Sequence, residues 1–268
     1  MKVQDKVFVV TGAGSGIGLQ LAVLLLQRGA RVAAVDLRRD GLDALAAEAE
    51  AGERLSLHVM NVADRDAVLA LPEQVIALHG AVDGVINNAG VIQPFVRVND
   101  LTFDDVHRMI DVNFHGTVSM VKAFLPHLLE RPEGHIANVS SMGAFLPVPG
   151  QAIYGASKAA VKLMTEALYA ELIETNVGVS IVLPGVVDTN IASNSGVDLG
   201  LPADQTQEPV RALAADRAAE TIIDGIEKNR LFIVLGSDAK LMYLANRIAP
   251  KASIRLIQQQ LKSLLPDV

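Results

Sequence analysis

Seven short apolar runs, rich in β-branched residues, recur along the chain with stretches of helical periodicity between them, and no other feature restricts the possible folds so strongly. The runs are VFVV at 7–10, RVAAVD at 31–36, RLSLHVM at 54–60, DGVIN at 83–87, HIANVS at 135–140, VSIVL at 179–183 and LFIVL at 231–235. The spacing of apolar residues between them predicts helices over Leu19–Gly29, Leu42–Ala51, Asp64–His79, Phe103–Leu129, Ile153–Thr175 and Arg217–Asn229. Strands that alternate with helices form βαβ units, whose crossovers are almost always right-handed. The expected fold is therefore α/β: a doubly wound, mostly parallel sheet of seven strands, with helices on both faces and a ligand crevice at the carboxyl ends of the strands.

Composition fits a sheet covered on both faces, because 50% of the 268 residues are hydrophobic and 20% are charged. No repeat or linker divides the chain, so residues 1–268 read as a single domain. Residues 189–210 are long and turn-rich, the mark of a functional loop, and are expected to border the substrate. The tail at 240–268 alternates apolar residues with Lys240, Arg247, Lys251, Arg255 and Lys262, and Pro250 divides it. It is expected to pack on its own domain or on a partner subunit, a membrane-surface helix being the alternative. A net charge of -7 argues against nucleic acid and anionic membranes and favours a small-molecule partner. The absence of cysteine removes disulfides, thiolate zinc sites and thiol nucleophiles, and with the lack of a signal-peptide pattern it points to the cytoplasm.

The first run leads directly into TGAGSGIG at 11–18 and then into an apolar helix. Closely spaced glycines let the backbone approach a pyrophosphate, whose charge the amino end of the helix favours; an ordinary strand-to-helix turn is the plainer alternative. The spacing is not G-x-G-x-x-G, because a frame from Gly12 reaches Ile17 and one from Gly14 reaches Leu19. Asp36 ends the second run about 20 residues later, where a carboxylate can bond both hydroxyls of an adenosine ribose and repel a 2′-phosphate. NAD is thus expected in preference to NADP, although Arg38 and Arg39 could serve a 2′-phosphate and Asp36 could be a solvated strand end.

Read as T-G-x-x-x-G-x-G, the loop resembles that of the short-chain dehydrogenase/reductase family, and Asn113 in MIDVNFHG, Ser141 in NVSSMG, and Tyr154 and Lys158 in YGASK extend the resemblance. A Tyr-x-x-x-Lys pair alone is equally a buried phenol near a lysine that reaches for water. Here a serine stands thirteen residues before the tyrosine, downstream of the glycine loop, and the motifs run in family order from residue 5 to about 236. The resemblance implies a Rossmann-type fold, a catalytic tetrad of Asn113, Ser141, Tyr154 and Lys158, and a homodimer or homotetramer. It places NAD against Gly12, Ser15, Gly16, Ile17 and Gly18, then Asp36 and Leu37, then Asn61 and Val62, where the family usually has Asp-Val beside adenine. Asn88, Ala89 and Gly90 would border the nicotinamide ribose together with Tyr154 and Lys158. Pro184, Gly185, Val187 and Thr189 would hold the carboxamide end.

The residue types suit hydride transfer to or from a hydrophobic secondary alcohol or ketone. One group must take the hydroxyl proton or return it, and Tyr154 is the candidate. A phenol titrates near ~10, so lowering it three units needs roughly 4 kcal/mol, which Lys158 and an oxidised nicotinamide are expected to supply. Ser141 would hold the substrate oxygen, with Ser140 as its rival, and Asn113 either holds a relay water or bonds backbone. Segments 92–95 and 142–153 and the loop from Thr189, with Phe145, Leu146, Val148, Ile191, Val197 and Leu201, give the substrate surface its apolar character. The six histidines show no metal-ligand spacing, so no metal is expected, and no G-x-S-x-G elbow surrounds Ser140 or Ser141. An NAD-using epimerase or dehydratase and a non-catalytic nucleotide sensor are the alternative functions for such a fold.

Overall fold

Each of the seven apolar runs forms a strand in the computed structural model, which describes residues 1–189, 191–197, 212–236, 246 and 248–260. In chain order they are β1 Val7–Thr11, β2 Arg31–Asp36, β3 Leu55–Val59, β4 Gly84–Asn87, β5 Gly134–Val139, β6 Val177–Pro184 and β7 Phe232–Leu235. All pair in parallel in the order β3-β2-β1-β4-β5-β6-β7. The winding direction reverses between β1 and β4, so the loops leaving their carboxyl ends diverge and open a crevice there.

Alternation of side chains along each strand sends successive residues to opposite faces, and both faces are buried. Phe8 and Val10 of β1 pack on α1 (Gly16–Gln27) and α8 (Ala215–Glu227), with α2 (Arg39–Ala49) adding Leu42 and Leu45. Val7 and Val9 face the other way, onto Val68, Leu71 and Val75 of α3 (Arg65–His79), Phe124 and Leu128 of α5 (Gly116–Leu129) and Leu168 of α6 (Ala152–Leu172). Burying one such leucine or phenylalanine stabilises the fold by about 1.5–3 kcal/mol.

Helix ends follow local chemistry. Asp64 caps α3 by accepting from Asp66 N and Ala67 N, both at 3.1 Å, and Gly80 ends it in the left-handed conformation. The segment expected as one helix over 103–129 is interrupted. After α4 (Phe103–Ile110) comes a π turn at Asp111–His115, and α5 follows without leaving the helical path. Such a turn inserts one extra residue, and here it brings Asn113 wholly into the interior. Beyond β6, α7 is a single helical turn, Ile191–Asn194, and α9 spans Pro250–Gln260. The rest of the 189–210 loop, including Leu201, and most of the tail, including Lys240, Arg247 and Lys262, lie outside the described residues. Among the described residues no helix is long and apolar enough to cross a membrane.

Candidate active site

β1 feeds the glycine loop, and α1 begins at Gly16 with Ser15 at its amino end. Gly12 and Gly16 have φ of 67° and 54°, values that L side chains rarely adopt. A Cβ on Gly12 would stand 2.9 Å from Asn88 Nδ2 and 3.0 Å from Ala89 Cα, and one on Gly18 would overlap the Gly12 carbonyl. The loop therefore has no room for side chains where it passes the next strand. Gly12, Ser15, Gly16 and Ile17 line a cleft of about 460 Å³. A dinucleotide fits this donor set, because bare amides at a helix amino end suit a diphosphate.

Asp36 and Leu37 border the same cleft, as do Asn61 and Val62 after β3, Asn88, Ala89 and Gly90 after β4, and Thr189 after β6. Asp36 also braces the loop: Oδ2 accepts from Gly14 N at 2.8 Å and Oδ1 from Arg38 N at 3.0 Å. Arg38 lines the cleft, whereas the Arg39 guanidinium is held by Asp43 at 2.8 Å. Asn88 Nδ2 donates to the Thr11 carbonyl at 3.0 Å, and Asn61 Oδ1 accepts from Ala63 N at 3.0 Å, leaving that oxygen one more lone pair. Gly18 packs beneath the loop. Pro184 ends β6, Gly185 follows it, and Val187 bridges Leu213; these three stand outside the cleft lining.

Two of the four tetrad positions, Asn113 and Lys158, meet at Gly90. A Cβ there would stand 3.0 Å from Lys158 Nζ and 3.2 Å from Asn113 Oδ1. Tyr154 and Lys158 share one face of α6, a turn apart. Ser141 Oγ accepts from Gly143 N at 3.0 Å, and a Cβ on Gly143 would stand 3.4 Å from both Ser141 Oγ and Tyr154 Cε1, so the serine and the phenol ring border one spot. Ser140 is committed elsewhere, donating to the Lys158 carbonyl at 2.8 Å. Asn113 uses its carboxamide on the chain: Oδ1 accepts from Val91 N at 2.9 Å, and Nδ2 donates to Val91 O and Ser157 Oγ, each at 3.0 Å.

Burial dominates the electrostatics of this pair. It pushes the Tyr154 phenol up, and the neighbouring Ser141 hydroxyl offsets this only in part. Burial pushes Lys158 down to about 8, and its Nζ donates to the Val139 carbonyl at 3.1 Å. Each charged form is penalised by desolvation before the other can stabilise it.

Several cleft residues escaped the sequence reading: Met60, Val91, Arg108, Val112 and Asn194. Asn194 Nδ2 donates to Ser15 Oγ at 2.9 Å, tying α7 to the glycine loop. Arg108 and Val112 stand four apart and just before Asn113, a spacing that could have flagged a shared face.

A profile of the family described as short chain dehydrogenase matches residues 6–199. The chain belongs to the short chain dehydrogenase family. SadH of Mycobacterium tuberculosis, whose given name is that of an oxidoreductase, is 37% identical over 270 residues that cover 98% of each chain. A short chain dehydrogenase/reductase from Burkholderia phymatum, solved in complex with NAD, superposes with a TM-score of 0.82 at 27% identity, covering 92% of this chain and 96% of that one. A short chain dehydrogenase from Burkholderia cenocepacia in complex with NADP gives a TM-score of 0.80 at 27% identity, covering 96% and 99%. This short chain dehydrogenase is thus an oxidoreductase built on a nucleotide-binding fold whose solved relatives include one bound to each nicotinamide cofactor.

Proposed function

We propose that this short chain dehydrogenase prefers NAD and moves a hydride between that cofactor and a hydrophobic secondary alcohol or ketone. The observation that carries the reading is that Ser141 Oγ and the Tyr154 ring border the same spot, each 3.4 Å from where a Cβ on Gly143 would stand, with Lys158 a turn further along α6 and next to Gly90 at the cleft wall. A nicotinamide cofactor, when bound, supplies the hydride acceptor or donor and, oxidised, a positive charge. Tyr154 takes the substrate's hydroxyl proton at its phenolic oxygen in oxidation and returns it in reduction. Ser141 holds the substrate oxygen beside that phenol and stabilises charge that develops there. Lys158 has ammonium donors for ribose hydroxyls, and Asn113 fixes Val91 at the edge of the cleft.

The preference for NAD rests on Asp36, whose carboxylate borders the cleft where a 2′-phosphate would be repelled. Half-buried Phe145, Val148 and Ile191 support an apolar substrate body, while Ile92, Leu146 and Val197 are buried against their neighbours and shape the surface from below. The chain acts as one domain in the cytoplasm, and family habit favours a homodimer or homotetramer. The test is a panel of hydrophobic secondary alcohols with NAD or NADP, read by absorbance of the reduced cofactor. Tyr154→Phe should bind NAD normally and lose about 10²–10⁴-fold in turnover. Wild-type turnover in that variant, or no turnover of any panel member by a protein that binds NAD tightly, would defeat the proposal.

A further inference from the structure

The helix that carries Tyr154 has no cap of its own. Ala152, Ile153 and Tyr154 open α6, where N–H groups lack an intrahelical acceptor, and Gln151 at the capping position makes no side-chain bond to them. The acceptor comes instead from the segment after β4. Gln93 is completely buried, and its Oε1 accepts from Ile153 N at 2.9 Å and from Tyr154 N at 3.0 Å. Its Nε2 donates to the Gly150 carbonyl at 2.8 Å, and its main-chain carbonyl accepts from Gln151 Nε2 at 2.8 Å. One carboxamide and one peptide oxygen thus hold the whole first turn of α6 and the residue before it.

The same short segment reaches the cofactor cleft at its other end. Gly90 and Val91 line the cleft, Val91 is bonded through both backbone groups to Asn113, and Ile92 N donates to Ser195 Oγ at 3.0 Å. Residues 91–93, each bonded to a neighbouring element, therefore form a strap running from the cleft wall to the amide of Tyr154 itself. Glycine or alanine at 93 would free the strap from the helix, and leucine would bury two N–H groups without a partner.

We propose that Gln93 is a positioning residue for Tyr154: it sets the height and orientation of the first turn of α6, so that the phenol meets Ser141 beside the cleft. This rests on reading Tyr154 as the acid–base group. Glutamate in its place keeps an acceptor for both amides, loses the donor to Gly150 and adds negative charge at the amino end of the helix that carries the phenol. Leucine keeps the bulk and loses every side-chain bond.

The experiment uses the full chain with NAD bound and two readouts besides turnover. Hydrogen exchange of the 151–158 segment reports whether the first turn is held. Tyrosinate absorbance on raising the pH, minus that of Tyr154→Phe, isolates one phenol among the three tyrosines of the chain. In Gln93→Leu, exchange at Ile153 and Tyr154 should speed by about 10-fold or more, the scale of one lost hydrogen bond, and the Tyr154 component should leave its wild-type pH. In Gln93→Glu, exchange should return towards wild type while the phenol titrates about half a pH unit or more higher, since added negative charge disfavours phenolate. Wild-type exchange in Gln93→Leu, or wild-type titration in both variants, overturns the proposal. If Tyr154→Phe removes no titrating component and keeps wild-type turnover, the acid–base reading of Tyr154 has failed and the positioning role falls with it. The exchange result still tells separately whether Gln93 holds the turn.

Discussion

Acid should unfold this protein partly through one buried histidine far from the candidate active site. His135 lies on β5 in the middle of the sheet, 2% exposed, with Nε2 2.9 Å from Ser180 Oγ. Ser180 donates its own proton to the Arg230 carbonyl at 2.7 Å, so it accepts from His135, and the neutral imidazole carries its proton on Nε2. Burial, with a smaller push from the amino-terminal ammonium, lowers the imidazole from 6.5 to about 3. Between these two values the unfolded chain binds a proton that the folded chain refuses. Stability is therefore fully present above about pH 6.5 and drains away as pH falls towards 3. At about 1.4 kcal/mol per unit, the two units between 6.5 and pH 4.5 cost about 3 kcal/mol, a large part of a typical 5–15 kcal/mol total. Urea unfolding of wild type and His135→Gln at pH 7 and 4.5 measures this difference. The variant should start less stable, because the site repacks, yet lose about 3 kcal/mol less on acidification. His58 and His79 are also lowered by burial, and they cancel because both proteins contain them. Parallel pH dependences would refute the reasoning, and so would an NMR titration placing the His135 ring near 6.5.

Two further outcomes follow from the glycine loop and its acid. Asp36→Ala removes the proposed ribose acceptor and the bonds to the Gly14 and Arg38 amides. NAD affinity by calorimetry should fall roughly 100-fold, as for two bonds of about 1.5 kcal/mol, and NADP affinity by less than about 10-fold; equal losses would remove the ribose role. Gly18→Ala drives a methyl into the Gly12 carbonyl. Overpacking of about 1–3 kcal/mol should lower Tm by several degrees and weaken NAD binding, whereas an unchanged Tm would mean that the loop yields freely.

The strands were legible because burial on both faces leaves an unbroken apolar signature. RVAAVD at 31–36 matches β2 residue for residue, and the other runs are displaced by one or two residues at their ends. The glycine loop, Asp36 and the Tyr154–Lys158 pair were legible as motifs, since each needs a particular residue type at a fixed spacing. Periodicity could not separate α4 from α5, because a π turn disturbs the apolar rhythm by only one residue. Nor could it assign Gln93, a polar residue between two irregular segments whose partners are 60 positions away or nearly so. The burial of the phenol and the lysine was illegible for a related reason. Spacing on a helix reveals that a lysine is near, but the cost of desolvating both groups belongs to the folded interior.

The π turn makes chain length matter more than residue identity between α4 and α5. Each helical residue advances the path by about 100°, so deleting one position from 111–115 would swing Phe103–Ile110 about a quarter turn around the axis. Asn113 would then leave Val91, and the fastening of the cleft wall would go with it. Exposed positions in that turn, such as His115, can be exchanged while the count is kept. A single-residue deletion there would be felt at Gly90 without altering any residue that touches the cleft from β4.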